Sequence, residues 1–329
     1  MVPTLAADLT FEECLRSLDS QTWRDFEVIV VDNSGRQRVR RSLAVSGNIR
    51  TLENCRNVGF GAAVNQGIRS SAAAFIATLN DDAAAHPEWL GAMMRAISEK
   101  PGAGMCASRI RLAADGRLDS AGMLMCADGS SKQRGHLERP ERFEAGGEAL
   151  FPSACAALYR RAMLDEIGGF DEDFFLYSED TDLGLRARRA GWTCLYEPGA
   201  IVDHRYSWSA GRASPLKAYL VERNRLFVVA KNFPASALLL TPWFALVRYF
   251  WHVISILRKR GSAAQFRAGG NGGLRLVLFV FRAHVAALLR LPSLAAKRRA
   301  IRRTARISPA EFRALLRRHS ISPREVAAL

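Results

Sequence analysis

No C-x-x-C pair occurs among the six cysteines (Cys14, Cys55, Cys106, Cys126, Cys155 and Cys194), which are scattered along the chain. Their spacing argues against a zinc-finger site or a disulfide framework and fits a reducing cytoplasm. No G-x-G-x-x-G opens the chain, so the dinucleotide fingerprint is absent. Met1 to Asp8 lack a basic region leading into a long apolar core, and no signal peptide is expected. Acid is scarce at the other end. From Arg258 to Leu329 seventeen Lys and Arg face only Glu311 and Glu325, so this stretch holds the whole net charge of +15. The surplus suits an anionic surface, lipid or nucleic acid, and leaves the chemistry upstream undetermined.

What is present reads as one large α/β domain with an appendage: 329 residues, 49% hydrophobic, are ample for a core. Glu27 to Asp32 is a strand ending on an acid, and Ile49 to Leu52 is a second short strand. Asn57-Val58-Gly59-Phe60-Gly61 is a glycine-rich entry to a helix ending near Ser70. Ala74 to Thr78 is a buried strand leading into Leu79-Asn80-Asp81-Asp82. The following Ala84 to Leu90 reads as a helix start with Pro87 in its first turn. Strands alternate with helices, which predicts a mostly parallel sheet. Acids at the C-terminal end of a parallel strand lie where open α/β sheets bind ligands. Adjacent carboxylates there repel unless a cation neutralises them, and Mg²⁺ or Mn²⁺ bridges such oxygens to phosphate. An acid placed like Asp32 can bond a nucleotide's base or ribose, and Gly59 and Gly61 permit close backbone approach. For each piece taken alone, a solvated turn explains the residues equally well.

A helix at Thr10 to Thr22, a strand at Gly102 to Arg111, a long polar loop or hairpin at Ala113 to Gly147 and a helix at Arg161 to Ile167 complete the frame. A second acidic group follows in Gly168-Gly169-Phe170-Asp171 and Ser178-Glu179-Asp180-Thr181-Asp182. The helix from about Ser178 to Arg189 carries Glu179 and Asp180 in its first turn, where the helix dipole favours ionised carboxylates. An ionised carboxylate there can accept a proton from a hydroxyl. Phe174 to Tyr177 form a dry wall before it. Trp192 to Val202 is a strand running into Asp203-His204, and a neutral His beside acids is a good metal ligand.

In order and spacing these motifs resemble a family 2 glycosyltransferase of the GT-A fold, closest in character to rhamnosyltransferase-like bacterial enzymes. The matching residues are Val30 to Ser34, Asn57 to Gly61, Leu79 to Asp82, Gly168 to Asp171, Ser178 to Asp182 and His204, and the likeness spans roughly Val2 to Asn232. It implies a Rossmann-like mixed sheet and a catalytic domain at 1–232, with an apolar and basic helical region at 233–329. It also implies inverting transfer of a sugar, rhamnose included, from a dTDP-, UDP- or GDP-sugar to a glycan or lipid-linked acceptor in cell-surface polysaccharide assembly. Asp32, Asn33, Asn57, Gly59, Asn65, Asn80 and Asp81 would bind the nucleotide sugar. Asp82 and His204 would hold Mg²⁺ or Mn²⁺, with Asn80 in place of the usual first Asp of a D-x-D element. Asp180 would be the general base and Glu179 its neighbour at the acceptor. One departure stands out: only Met1-Val2-Pro3-Thr4 remains of the expected first strand. A start placed too far downstream, or a shortened chain, would expose neighbouring strand edges.

Leu238 to Leu257 and Leu274 to Leu291 are apolar stretches broken by Arg248, His252, Arg275, Arg282 and Arg290, followed by the basic cluster Lys297 to Arg306. Arginine near the middle disfavours spanning a bilayer, so the expectation is a membrane-surface attachment on the cytoplasmic face of the inner membrane, with arginines reaching headgroups. The soluble alternative is a helical subdomain. Two other functions are weighed. A processive polysaccharide synthase would carry a Q-x-x-R-W element, for which Glu222-Arg223-Asn224-Arg225 stands instead. A nucleic-acid-binding protein would show interleaved aromatics or zinc spacing, which are absent; no nucleic acid is expected.

Overall fold

The structure is a computed structural model that describes residues 1–5, 8–39, 49–205, 214–258 and 273–329. Ala6 and Ala7 after the first strand, and Lys259, Arg260 and Arg267 of the basic tail, lie outside the described residues. The chain forms two compact units, one from 1–123 with 133–209 and one from 124–132 with 210–329. This division differs from the boundary at 232 that the resemblance implies.

The first unit is α/β. Its elements are β1 (Val2–Thr4), α1 (Leu9–Asp19), β2 (Val28–Asp32), β3 (Ile49–Glu53), α2 (Phe60–Ser70), β4 (Phe75–Leu79), β5 (Ala83–Ala85), α3 (Trp89–Ser98), β6 (Ala103–Leu112) and β7 (Leu118–Ser120). After the ribbon of β8 (Met123–Met125) and β9 (Ser131–Gln133) come β10 (Gly147–Ala149), β11 (Ala156–Arg160), α4 (Arg161–Ile167), α5 (Glu179–Arg189) and β12 (Thr193–His204). β2 is Val-Ile-Val-Val-Asp and is buried throughout, as befits a strand covered on both faces. It pairs in parallel with β1 and with β3. α1 begins on Asp8, whose carboxylate accepts from the amides of Thr10 and Phe11. Phe11, Cys14, Leu15 and Leu18 then fall on one face and enter a core with Trp89, Met93 and Ile97.

Three expectations change here. The second sheet, in the order β10-β12-β6-β11-β4, is mixed, as the resemblance implies, and not mostly parallel as the alternation of strands and helices alone predicts: β11 runs antiparallel to both β4 and β6, while β12 runs parallel to β6. Ala83–Ala85 is not a helix start but a short strand antiparallel to Val202–His204, and the helix begins at Trp89. The short first strand still bridges β2 and β4 at their C-terminal halves. Val2 pairs with Val30, the Met1 carbonyl accepts from Leu79 N at 3.1 Å, and the Met1 amine donates to Ala77 O at 2.8 Å. Burial lowers the pKa of that amine to about 6.

The second unit is helical: α6 (Pro215–Asn232), α7 (Ala235–Leu238), α8 (Thr241–Leu257), α9 (Gly273–Leu289), α10 (Leu291–Thr304), α11 (Pro309–Arg318) and α12 (Pro323–Ala328). α6, expected in the catalytic part, packs here against α9 and α10. Serine opens three of these helices, with proline in the first turn. Ser308 with Glu311 and Ser322 with Glu325 form reciprocal capping boxes. The two acids of the basic tail are thus both helix caps.

Arg248 is buried, contrary to the expectation that the tail arginines reach outward. It donates to Asp128 and, at 2.8 Å, to Glu222, while Arg225 donates to Glu222 at 3.1 Å and to the Asp128 carbonyl at 2.6 Å. Tyr249 adds a hydroxyl to Glu222. With Arg248 turned inward, the opposite side of α8 exposes Trp243, Leu246, Phe250, Val253 and Leu257, and α9 exposes Val277, Leu278, Phe281 and Leu288. Among the described residues no single helix is long and apolar enough to cross a membrane. The pair Arg275–Leu289 and Leu291–Thr304, bent by 65°, has sufficient length and apolar composition together.

Burial alone would raise the pKa of Glu222, but the guanidinium groups of Arg225 and Arg248 outweigh it and hold the carboxyl far below its ordinary value of 4.5. A depressed carboxyl stabilises the fold above its unfolded value and loses that contribution as pH falls. Stability is therefore expected to decline below about pH 4.5. Glu222→Gln should cost about 3–5 kcal/mol at pH 7. The variant should also show a shallower acid dependence in urea unfolding; equal midpoints at pH 7 would refute the role of this cluster.

Candidate active site

The two acidic groups seen in the sequence meet through residues 154 and 155. Antiparallel pairing sets Ala156 opposite Leu79, and the register continues beyond the strand ends: Asn80 N donates to Cys155 O at 2.8 Å. One residue earlier, Ala154 N donates to Asp180 Oδ2 at 3.3 Å. Asn80 to Asp82 and Glu179-Asp180 thus border one short stretch of backbone.

On the first side Asp82 is buried, and its Oδ1 lies 3.2 Å from His204 Nε2. β12 delivers His204 here, aligned with Ala83 on β5. Arg205 N donates to Asp82 O at 2.9 Å. Burial would lower the pKa of His204, but the Cys155 thiol and the carboxylates of Asp119 and Asp82 outweigh it and hold the pKa well above its usual value. Asp81 turns toward β1, where Thr4 and the Leu5 amide bond its carboxyl. Its pKa nevertheless rises to about 6, through burial first and the neighbouring Asp82 second.

On the other side, Asp180 Oδ1 accepts from Thr181 N at 2.6 Å and from the Thr181 hydroxyl at 3.3 Å. Glu179 is buried, and its Oε2 has no hydrogen-bond partner among the described residues. The helix dipole was expected to keep both acids ionised, yet both pKa values rise. Burial is the main cause, joined for Glu179 by the charge of Asp180, while for Asp180 hydrogen bonds from Ala154 and Thr181 oppose it. Asp180 is therefore the one better supported as an anion.

The segment before this pair is held under strain. Phe175 (φ 64°, ψ −59°) is the centre of a γ-turn, with Leu176 N donating to Phe174 O at 2.7 Å, and Tyr177 and Ser178 also have positive φ. Side-chain L residues in such conformations cost about 1–3 kcal/mol each and persist only where surrounding contacts impose them. The contacts are specific. Arg186 donates to Asp182 at 2.8 Å and to the carbonyls of Ile167, Gly168 and Gly169. The Asn65 amide clasps Phe170 through both backbone atoms and reaches Glu172 at 3.0 Å. Phe60 N donates to Phe175 O at 2.8 Å.

The third group lies at the end of β2. Both Asp32 oxygens accept amides, from Ser34 and Val39 at 2.9 Å. Burial would raise its pKa, but these bonds and that from the Ser34 hydroxyl keep it below the ordinary value. Asn33 joins Asn54, Asn57 and the Val58 and Gly59 backbone in one amide network. Asn57 Oδ1 also accepts from Gly59 N. Of the residues assigned to nucleotide binding, Asn33, Asn57 and Asn65 therefore use their amides to brace loops, and Gly59 is shaped for Phe175. Sequence reasoning missed Asp119, whose Oδ2 lies 2.8 Å from His204 Nδ1, and Cys155, whose thiol bonds His204. Asp119 lies in the segment read as an irregular loop, and burial is its only distinguishing sign.

Comparison with known proteins bears on the family and the fold. The description "Glycosyl transferase family 2" matches residues 1–168, and "Glycosyl transferase family group 2" matches residues 136–292. The N-acetylglucosaminyl-diphospho-decaprenol L-rhamnosyltransferase of Mycobacterium tuberculosis is 30% identical over 239 residues, 63% of this chain and 76% of that protein. Among solved structures, GalNAc-T7 with UDP, GalNAc and Mn²⁺ aligns with a TM-score of 0.56 at 14% identity, over 70% of this chain and 47% of that one; this chain spans under half of that protein's aligned structure. The mannosyltransferase PcManGT from Pyrobaculum calidifontis, in complex with GDP-Man and Mn²⁺, aligns with a TM-score of 0.52 at 16% identity, over 92% of this chain and 84% of that one. Fold and acidic site together define a glycosyltransferase of the GT-A fold. Within that class the chain belongs to glycosyl transferase family 2. The nucleic-acid-binding and processive-synthase readings gain no support, and Glu222 and Arg225 are occupied in the buried ion-pair cluster.

A Cβ on residue 59 would lie 2.3 Å from Phe175 O, and Gly59 has φ +91°. Gly59→Ala is therefore expected to cost at least about 1–2 kcal/mol from backbone handedness alone. It should also displace the segment leading to Glu179, so that sugar transfer falls more than tenfold while the protein remains folded. Thermal melting and turnover check this; unchanged turnover would separate Gly59 from the site.

Proposed function

We propose that the chain is an inverting, divalent-cation-dependent glycosyltransferase acting from a nucleotide-diphospho-sugar on a hydroxyl of a glycan or lipid-linked acceptor, in cell-surface polysaccharide assembly. Rhamnose is the favoured sugar, and an N-acetylglucosaminyl-diphospho-lipid the favoured acceptor class, by likeness to the mycobacterial relative. The convergence of Asp82-His204 and Glu179-Asp180 on residues 154 and 155 carries the reading.

Asp82 and His204 fit a cation that takes its remaining ligands from a diphosphate: they offer one carboxylate and one imidazole. Among the described residues no group of three or more His, Cys, Asp or Glu is placed to enclose an ion. Mg²⁺ or Mn²⁺ bound there would supply Lewis-acid stabilisation of the diphosphate leaving group. Asp32, at the end of β2, is the residue assigned to the donor's nucleoside, with dTDP, UDP and GDP as candidates. Asp180, oriented by Ala154 and Thr181, removes the proton from the acceptor hydroxyl. Its raised pKa makes it a stronger base than an exposed carboxylate. The free Oε2 of Glu179 is available to an acceptor hydroxyl, which satisfies an otherwise orphaned buried oxygen. Attack from the face opposite the leaving diphosphate inverts the anomeric centre.

Asp180→Asn should reduce turnover by 10³-fold or more, a loss of about 4 kcal/mol of transition-state stabilisation, while sugar-nucleotide binding persists. Thermal-shift screening of dTDP-, UDP- and GDP-sugars with and without Mn²⁺ identifies the donor, and NMR of the product reads the anomer. A turnover within tenfold of wild type, or a retained anomer, would remove Asp180 from the base role.

The exposed side of α8 and the basic tail support a place on an anionic lipid surface, at the cytoplasmic face of the inner membrane, where a lipid-linked acceptor would be presented. Apolar side chains enter the interface and Lys and Arg meet headgroups. Trp243→Glu with Phe250→Glu should lower co-sedimentation with phosphatidylglycerol vesicles more than tenfold without changing the melting curve. Equal sedimentation of the variant, or none by the wild type, would overturn this placement.

A further inference from the structure

His204 is held on both ring nitrogens. Nε2 lies 3.2 Å from Asp82 Oδ1, and Nδ1 lies 2.8 Å from Asp119 Oδ2. Asp119 and His204 come from separate strands. Asp119 is on β7, which pairs with Ile110 and Arg111 of β6, and His204 ends β12, which pairs with β6 through Leu112. Asp119 and His204 therefore meet across β6. Asp119 is 3% exposed, and its other oxygen lies 3.1 Å from His136 Nδ1, an atom also 3.1 Å from the Asp119 carbonyl. A carboxylate is costly to bury, and these two imidazoles are what the site provides in return. An imidazole whose Nδ1–H is fixed on a carboxylate presents the Nε2 lone pair in one direction only.

We propose that Asp119 is a positioning residue: it fixes the tautomer and ring plane of His204 so that Nε2 faces Asp82 and the divalent cation, and His136 fixes Asp119. Asp119 touches neither cation nor substrate. The inference rests on the reading of Asp82 and His204 as the cation's protein ligands. It extends the site one layer inward, to residues that the motif pattern does not contain.

The test measures Mn²⁺ alone, by the electron paramagnetic resonance signal of the unbound ion, on wild type, His204→Ala, Asp119→Ala and Asp119→Asn. Crystal structures of the two Asp119 variants accompany it. Asp119→Ala is expected to weaken Mn²⁺ binding about 10- to 100-fold and to let the His204 ring turn from Asp82. Asp119→Asn, which keeps one acceptor, should fall between it and wild type. Circular dichroism and melting confirm that each variant is folded, and Asp119→Asn carries the comparison if Asp119→Ala is not. Mn²⁺ affinity within twofold of wild type, with the ring still within hydrogen-bond distance of Asp82, overturns the proposal. A wild-type chain that binds no Mn²⁺ overturns the cation reading, whereas the ring orientation in the Asp119→Asn crystal separately upholds or overturns the hold of Asp119 on His204.

Discussion

The antiparallel seating of β11 between β4 and β6 is the constraint on which the site depends. It places the Cys155 carbonyl on the Asn80 amide and, one residue away, the Ala154 amide on the Asp180 carboxylate. Asp82 and Asp180 are nearly a hundred residues apart in the chain. What joins them is not a direct contact but two hydrogen bonds at the end of one strand, one from the Asn80 amide to the Cys155 carbonyl and one from the Ala154 amide to the Asp180 carboxylate. A slip of one residue in that register would turn every β11 side chain to the other face and separate the two groups.

The remaining architecture feeds this junction from three directions. α5 brings Glu179 and Asp180 on a buried helix that Arg186 ties to the Gly168-Gly169 carbonyls. α2 supplies the Asn65 clasp on Phe170 and the glycine-bounded surface that Phe175 rests on. β12 brings His204 alongside Asp82. Each is a locally ordinary device, a cap, a clasp or a strand end. Together they hold acids at a spacing that their mutual repulsion would otherwise oppose.

The sequence made much of this legible because acids at strand ends and in a first helical turn are local signals. Asp32 and Asp180 lie on the elements their surroundings predict, Asp82 follows the predicted strand, and α4 spans the predicted residues. Strand direction was not legible. Ala156 to Arg160 reads the same whichever way it pairs, so the residues alone point to a parallel sheet and only the family resemblance implies a mixed one. Asp119 was hidden because nothing in Leu118-Asp119-Ser120 distinguishes a buried acid from a turn. Arg248 misled for the opposite reason: an arginine in an apolar helix looks the same whether it faces headgroups or a distant Asp128 and Glu222. The amides of Asn33, Asn57 and Asn65 resemble ligand contacts in sequence but brace loops in the fold.

The capping boxes of the last two helices have an electrical consequence. Glu311 and Glu325 are the only negative side chains after Arg258, and each is bound to the backbone of its own helix start. The stretch has almost no internal counter-charge, so its excess positive charge is balanced by ions from the medium. Such balance is diffuse and extends over about 8 Å at physiological ionic strength. Attraction of this tail to a polyanionic sheet would therefore weaken as salt is added, while contact made by the uncharged side of α8 would not. Adhesion measured across a salt series would resolve into two components, one that screens and one that persists.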